Sequence, residues 1–336
     1  MAAELAVQDP ILFEANPSYS MFPVKFESLW KLYKLASDSY WTAEEIDISG
    51  DVAAWDKLSD GERGLLSSTL AFFASADSIV NMNLAANFMD TVAPQEAKAF
   101  YAFQMAMETV HSEVYSLLID TYVRDPAKKD ELFNAVNTMP VITKKIDWAK
   151  RWLDPKLNSF ARRLFAFAIF EGVYFQGSFM TIFYLKHRGF VLPGLFFSNE
   201  LISRDEALHT EFATTLHGLL QPENQLSESD AATMLREAVL LEIEFITEAL
   251  PCTLLGINAA SMVTYIQFVG DRLLKQMGFA PIFGATNPFP WMNLISLESK
   301  VNFFESRNDK YSRANVHKTD TSRPGDASTE SDEEDF

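Results

Sequence analysis

The pattern Glu-x-x-His occurs twice, at Glu108-Thr-Val-His111 and at Glu206-Ala-Leu-His209. Residues three apart share one face of an α-helix, so each copy presents a carboxylate beside an imidazole. Two such faces restrict the fold severely. If the helices face each other they hold two metal ions, and one carboxylate from each of two further helices completes six protein ligands. With 5 His in 336 residues, the spacing alone arises by chance often enough that its surroundings must decide.

Those surroundings read as helix. Hydrophobic residues make up 48% of the chain and glycines number only 13, while apolar positions recur at helical rather than alternating spacing. The capping box Ser59-x-x-Glu62 predicts a helix running to about Met89. Pro94 predicts a second, to about Tyr122. Shorter helices are expected over Pro126 to Val136 and Thr143 to Leu153. Long ones follow over Asn158 to His187 and from near Pro193 to Gly218. Ser227-x-x-Asp230 caps another, to about Leu250, and a last runs from about Thr253 to Met277. The expected fold is all-α.

Two of these helices carry a carboxylate on an apolar stretch. Asp77 interrupts Leu70-Ala-Phe-Phe-Ala-Ser-Ala-Asp77-Ser-Ile-Val, and Glu171 interrupts the apolar run Leu164 to Leu185. That run is long enough to span a bilayer. A charge in its middle favours the alternative, a helix buried at the centre of a large fold and no membrane. A buried carboxylate must be paired, neutralised or metal-bound. With the two Glu-x-x-His pairs, the inventory is four helices, four carboxylates and two histidines, which is that of a dinuclear site.

Carboxylate-rich coordination with one imidazole per metal suits iron or manganese and leaves positions open for dioxygen. Zinc in a closed structural site fits poorly. Cys252 is the only cysteine, which fits a reducing compartment and leaves metal binding to His and carboxylate. A formal charge of -18 argues against binding nucleic acid through its phosphates. Tyr115 lies one helical turn beyond His111, a candidate one-electron donor beside an oxygen-activating centre. Phe175 and Phe179 follow Glu171 at helical spacing and can wall it.

At this point a resemblance becomes specific. The strings Trp41-Thr-Ala-Glu-Glu, Leu70-Ala-Phe-Phe, Phe103-Gln-Met-Ala-Met-Glu-Thr-Val-His-Ser-Glu-Val-Tyr-Ser, Phe197-Ser-Asn-Glu-Leu-Ile-Ser-Arg-Asp-Glu-Ala-Leu-His, Asn287-Pro-Phe and Asn302-Phe-Phe-Glu closely resemble the radical-generating small subunit of class I ribonucleotide reductase, in its eukaryotic and viral forms. The resemblance implies a ferritin-like helical bundle over 21–310, between a flexible segment 1–20 and a flexible acidic tail 311–336. It implies that Asp77, Glu108 and His111 bind one metal and Glu171, Glu206 and His209 the other. The cofactor it implies is an oxo-bridged di-iron centre, with manganese as the other ion the ligands suit. Tyr115 then matches the radical tyrosine, with Phe175, Phe179 and Ile202 lining its pocket. Trp41, Asp205 and Tyr311 match an electron relay towards a large subunit that reduces ribonucleotides to deoxyribonucleotides. A homodimer is implied as well.

The sequence departs from the family pattern at Met82, where a glutamate is usual, at Ser78 and Gln176, and in a Gly189 to Pro193 segment one residue longer. No ligand is lost by these changes, and their bearing is on access to the centre. The last residues, Thr319 to Phe336, hold seven acidic side chains against Arg323 alone, a composition that does not fold by itself. Phe336 at its end is either a solvated residue or an anchor for a partner groove, and the resemblance favours docking on the large subunit. The first ten residues lack a basic start followed by an apolar core, so a cytoplasmic location is the expectation. Two other classes share the ligand inventory: a ferritin-like iron storage protein, which has no need of Tyr115, Trp41 or Tyr311, and a di-iron oxidase or desaturase, which needs a substrate channel to the metals.

Overall fold

The computed structural model describes residues 9–14, 19–248 and 258–292, and among them no strand forms. The principal helices are α1 (Glu27–Asp38), α2 (Asp60–Asn83), α3 (Gln95–Tyr122), α4 (Pro126–Phe133), α5 (Pro140–Leu153), α6 (Phe160–Ile169), α7 (Gln176–His187), α8 (Pro193–Gly218), α9 (Glu228–Glu248) and α10 (Ala259–Gln276). Tyr311, Phe336, Cys252 and the acidic tail lie outside the described residues, as does the expected start of the last helix near Thr253.

Local chemistry explains most of these ends. Ser59 Oγ accepts from the Glu62 N–H at 3.3 Å while the Glu62 carboxylate accepts from the Ser59 N–H at 2.8 Å, the reciprocal box that starts α2. Helix α5 starts at Pro140 rather than Thr143, because a proline at the first helical position gives up no hydrogen bond. Helix α7 stops at Gly189, whose φ of 86° lets the Phe190 N–H reach Leu185 O at 3.1 Å.

The expected helix over Asn158 to His187 keeps its direction but not its hydrogen-bond pattern. Between α6 and α7 the residues Phe170–Tyr174 form a π-turn, and Leu84–Phe88 form another beyond α2. A π-turn inserts one residue and turns the following side chains around the axis, a device frequent at functional sites.

Helix α1 was not expected from the sequence. Its leading residue Phe26 has no side-chain cap of its own. Instead Glu96, on α3, accepts from the N–H groups of Lys25 at 2.5 Å and Phe26 at 3.2 Å.

Helices α2, α3, α6 and α8 make the centre of the bundle; α1 packs on α3 and α8, while α5, α9 and α10 cover α6 and its π-turn. Two helical stretches, Asp60–Phe88 and Phe160–His187, are long and apolar enough to cross a membrane. In the second, 94% of the most apolar window is buried inside the fold, so its apolar surface is covered by the protein itself.

Asp51 fixes the two Glu-x-x-His helices against each other. It is fully buried and accepts from the Gly194 and Leu195 N–H groups at 2.9 and 2.8 Å, capping α8. The Tyr122 hydroxyl at the end of α3 donates to the same carboxylate at 2.5 Å. A carboxylate at a helix N-terminus also meets the positive end of the helix dipole. Gly194 is required there, since a Cβ would lie 2.6 Å from Asp47 O.

Candidate metal centre

Each of the six sequence-predicted ligands is buried, on three of the central helices and the π-turn that follows the fourth. Asp77 comes from α2, Glu108 and His111 from α3, Glu171 from the π-turn, and Glu206 and His209 from α8. Ligand atoms of Asp77, Glu108 and His111 lie within 4.8 Å of one another, and so do those of Glu108, Glu171, Glu206 and His209. Glu108 belongs to both groups. Its place between them is a feature the sequence left open.

Several polar atoms of this cluster lack ordinary partners. No hydrogen bond within the described structure reaches either oxygen of Asp77 or Glu171, Glu108 Oε2, Glu206 Oε1 or His111 Nδ1. His111 Nδ1 sits 3.1 Å from Glu206 Oε1 and 3.4 Å from Glu108 Oε2 without hydrogen-bond alignment. Buried polar atoms are nearly always satisfied, so several converging on one point call for a cation. Oxygen-rich donors with two imidazoles fit a pair of first-row divalent ions.

Electrostatics agree with that demand. Burial raises the Asp77 carboxyl well above its usual range, and the Glu108 charge raises it further. Burial likewise raises Glu171, with Glu206 and Glu108 adding to it. Burial alone would also raise Glu206, but its partners Glu171, His209 and His111 outweigh that and lower it. Burial works against charge on His209, yet Glu108 and Glu206 prevail and lift it to about 9; His111 is lifted likewise through Asp205, Glu108 and Glu206. Burial and neighbouring charge thus favour the protonated forms of Asp77, Glu171 and both imidazoles, the response of such groups packed together without a compensating cation.

From His111 a hydrogen-bonded path leads away from the cluster. His111 Nε2 lies 3.2 Å from Asp205 Oδ2, which accepts from the Trp41 indole N–H at 2.7 Å. The Trp41 and His111 rings lie near parallel at 5.8 Å. Burial disfavours the Asp205 charge, but Arg204, at 2.8 Å from Oδ1, together with His111 and Trp41 holds its carboxyl below the usual range. An imidazole whose outer nitrogen is held by a carboxylate is fixed in orientation.

Tyr115 is 3% exposed, and its phenol is raised well above its usual range by burial, then by Asp77, Glu206, Glu108 and Glu171. The ring lying flat on it is Phe73, at 4.6 Å and 20°. Phe179 and Phe175 pack on Phe73 in turn, at 5.0 and 5.5 Å, and Ile202 is fully buried one turn before Glu206. The sequence reading missed Phe73. Its signal was available, because Phe73 stands four residues before Asp77 and so on the ligand face of α2.

Of the departures from the family pattern, Ser78 is exposed and Met82 is 71% exposed on the outer side of α2, while Gln176 is half-buried at the start of α7.

Comparison with known proteins agrees along the whole fold. Residues 18–288 match the family described as ribonucleotide reductase, small chain. The protein is 51% identical over 309 residues to one of the ribonucleoside-diphosphate reductase small chains of Arabidopsis thaliana, covering 92% of its own length and 89% of that relative. It is 48% identical to the human ribonucleoside-diphosphate reductase subunit M2, covering 95% and 82%. Among solved structures, the ribonucleotide reductase Rnr4 homodimer of Saccharomyces cerevisiae superposes with a TM-score of 0.78 at 33% identity, over 88% of this protein and 93% of that one.

Proposed function

Because the chain belongs to the family of ribonucleotide reductase small chains, oxidoreductase subunits that work with a large subunit, we propose that it makes and stores a tyrosyl radical on Tyr115 for that partner's reduction of ribonucleotides. The observation that carries this reading is the buried path from His111 through Asp205 to Trp41, beside a walled tyrosine. Iron storage has no use for it.

Asp77, Glu108 and His111 are the residues to hold one iron, and Glu171, Glu206 and His209 the other, with Glu108 in reach of both. Iron bound there would supply, with dioxygen, the oxidising power that a tyrosyl radical requires. Burial and four carboxylates keep the Tyr115 phenol protonated, so a proton must leave with the electron. The wall of Phe73, Phe175, Phe179 and Ile202 keeps water and reductants from the oxidised ring. When Trp41 passes an electron its N–H becomes acidic, and Asp205 is placed to take that proton at 2.7 Å. Tyr311 and the tail ending in Phe336 are the proposed continuation of the relay and the docking element for the large subunit. A homodimer acting in the cytoplasm, with manganese as an alternative metal, completes the proposal, supported by the single cysteine and by the donor set.

The test is direct. Apo-protein loaded with Fe(II) and exposed to oxygen should give a tyrosyl electron paramagnetic resonance signal that is absent in Tyr115→Phe. Full iron uptake with no radical in the wild type would transfer the protein to the storage class.

A further inference from the structure

Lys145 on α5 and Glu242 on α9 form an ion pair that belongs to neither the metal cluster nor the relay. Both side chains are fully buried, with Nζ 2.6 Å from Glu242 Oε2. The ammonium lies over the Phe72 ring at 3.4 Å and the Phe245 ring at 4.1 Å, and it donates to Tyr174 O at 3.4 Å. Taking two charges out of water is costly, and an apolar pair of equal volume often serves stability as well. Such a pair calls for a local reason.

The reason lies in what it touches. Tyr174 is the last residue of the π-turn that carries Glu171. Three residues on, Gly177 brings the α7 backbone so close that a Cβ would lie 2.6 Å from Glu242 Oε1. The pair thus holds the chain on the exit side of the π-turn. Phe72, under the ammonium, meets Phe175 edge-on at 5.6 Å. A π-turn that relaxed to regular helix would drop one residue from its register and swing side chains by about 100° around the axis. Glu171 would then leave the cluster.

We propose that the Lys145–Glu242 pair is a positioning device for Glu171: by fixing the backbone at Tyr174 and Gly177 it locks the π-turn in the register that aims the Glu171 carboxylate at the second metal position. The inference rests on reading the cluster as a two-metal site.

Anaerobic calorimetric titration of apo-protein with Mn(II) tests it, the Glu171→Ala variant showing which binding step depends on Glu171. Lys145→Met should weaken that step at least tenfold and leave the other within twofold, a selectivity that general loosening of the fold would not give. The double variant Lys145→Met/Glu242→Leu removes the lone buried charge while still lacking the hold on Tyr174 O, so it should fold and show the same selective loss. Wild-type affinity at both steps in either folded variant overturns the proposal. So does loss of both steps together, or failure of both variants to fold, since the pair would then be general scaffolding. A wild type that binds no pair of ions refutes instead the two-metal reading.

Discussion

Phe73→Leu separates packing from radical chemistry. The Phe73 ring is fully buried and takes part in four aromatic contacts, with Tyr115 at 4.6 Å, Phe179 at 5.0 Å, Phe175 at 5.5 Å and Phe72 at 5.9 Å. Leucine keeps most of the apolar burial and loses the ring faces. Aromatic pairs contribute about 0.5–1.5 kcal/mol each beyond area, and four sharing one ring do not add fully, so the expected loss is about 2 kcal/mol. Denaturant unfolding of the apo-protein measures it. A comparable loss is expected from Phe88→Leu, whose ring contacts Tyr101, Phe160 and Phe167 and no part of the Tyr115 wall. The two variants should part company after iron and oxygen are added. The torsion about a tyrosine Cβ–ring bond is broad by itself, so the flat contact with Phe73 is what sets it. Since the β-proton splitting of a tyrosyl radical depends on that torsion, Phe73→Leu should change the splitting and shorten the radical's lifetime, while Phe88→Leu should do neither. If Phe73→Leu loses stability as expected but keeps a wild-type spectrum and lifetime, Phe73 is merely core and the argument for a positioned ring fails.

Three further expectations follow from the geometry. Asp205→Asn should leave the Tyr115 radical able to form but lower nucleotide reduction with the large subunit by about 100-fold or more, the scale of a lost proton acceptor; wild-type turnover would remove Asp205 from the relay. Gly177→Ala should cost about 1–3 kcal/mol by overpacking against Glu242 and Ile246, whereas Gly64→Ala, open around its Cβ in α2, should gain about 0.5–1 kcal/mol; equal effects in unfolding experiments would contradict the packing at Gly177. The buried pair also predicts a pH profile. Burial raises Glu242 to about 7, so its contribution is present below about pH 4.5 and lost as pH rises towards 7, about 3 kcal/mol at the linkage value per unit. Burial lowers Lys145 to about 8, so stability returns as pH rises from 8 towards 10.5. Measured against Lys145→Met/Glu242→Leu, the apo wild type should be least stable between pH 7 and 8, and a flat difference would count against the pair as drawn.

Much of this protein could be read along the chain, because its signals are local. Helix periodicity, the Ser59–Glu62 box, the prolines at Pro126 and Pro193, and the i, i+3 pairing of Glu108 with His111 and Glu206 with His209 each depend on residues a turn or two apart. Asp77 and Glu171 were legible as charges that apolar helices do not keep without a reason. What escaped was set by contacts between distant segments. Helix α1 is capped by Glu96 from α3, so nothing in its own sequence announces its start. The π-turn at Phe170–Tyr174 depends on neighbours that hold an irregular backbone, and Lys145 and Glu242 meet only because α5 and α9 cover the same turn. Glu108 lies between the two ligand groups because α2, α3, α6 and α8 converge there, and Phe73 covers Tyr115 because α2 and α3 pack face to face. The order of residues thus settles which side chains are available and on which helical face. Only the packing of those faces settles the angle at which each meets the others, since a carboxylate or a ring a single turn out of register reaches a different neighbour.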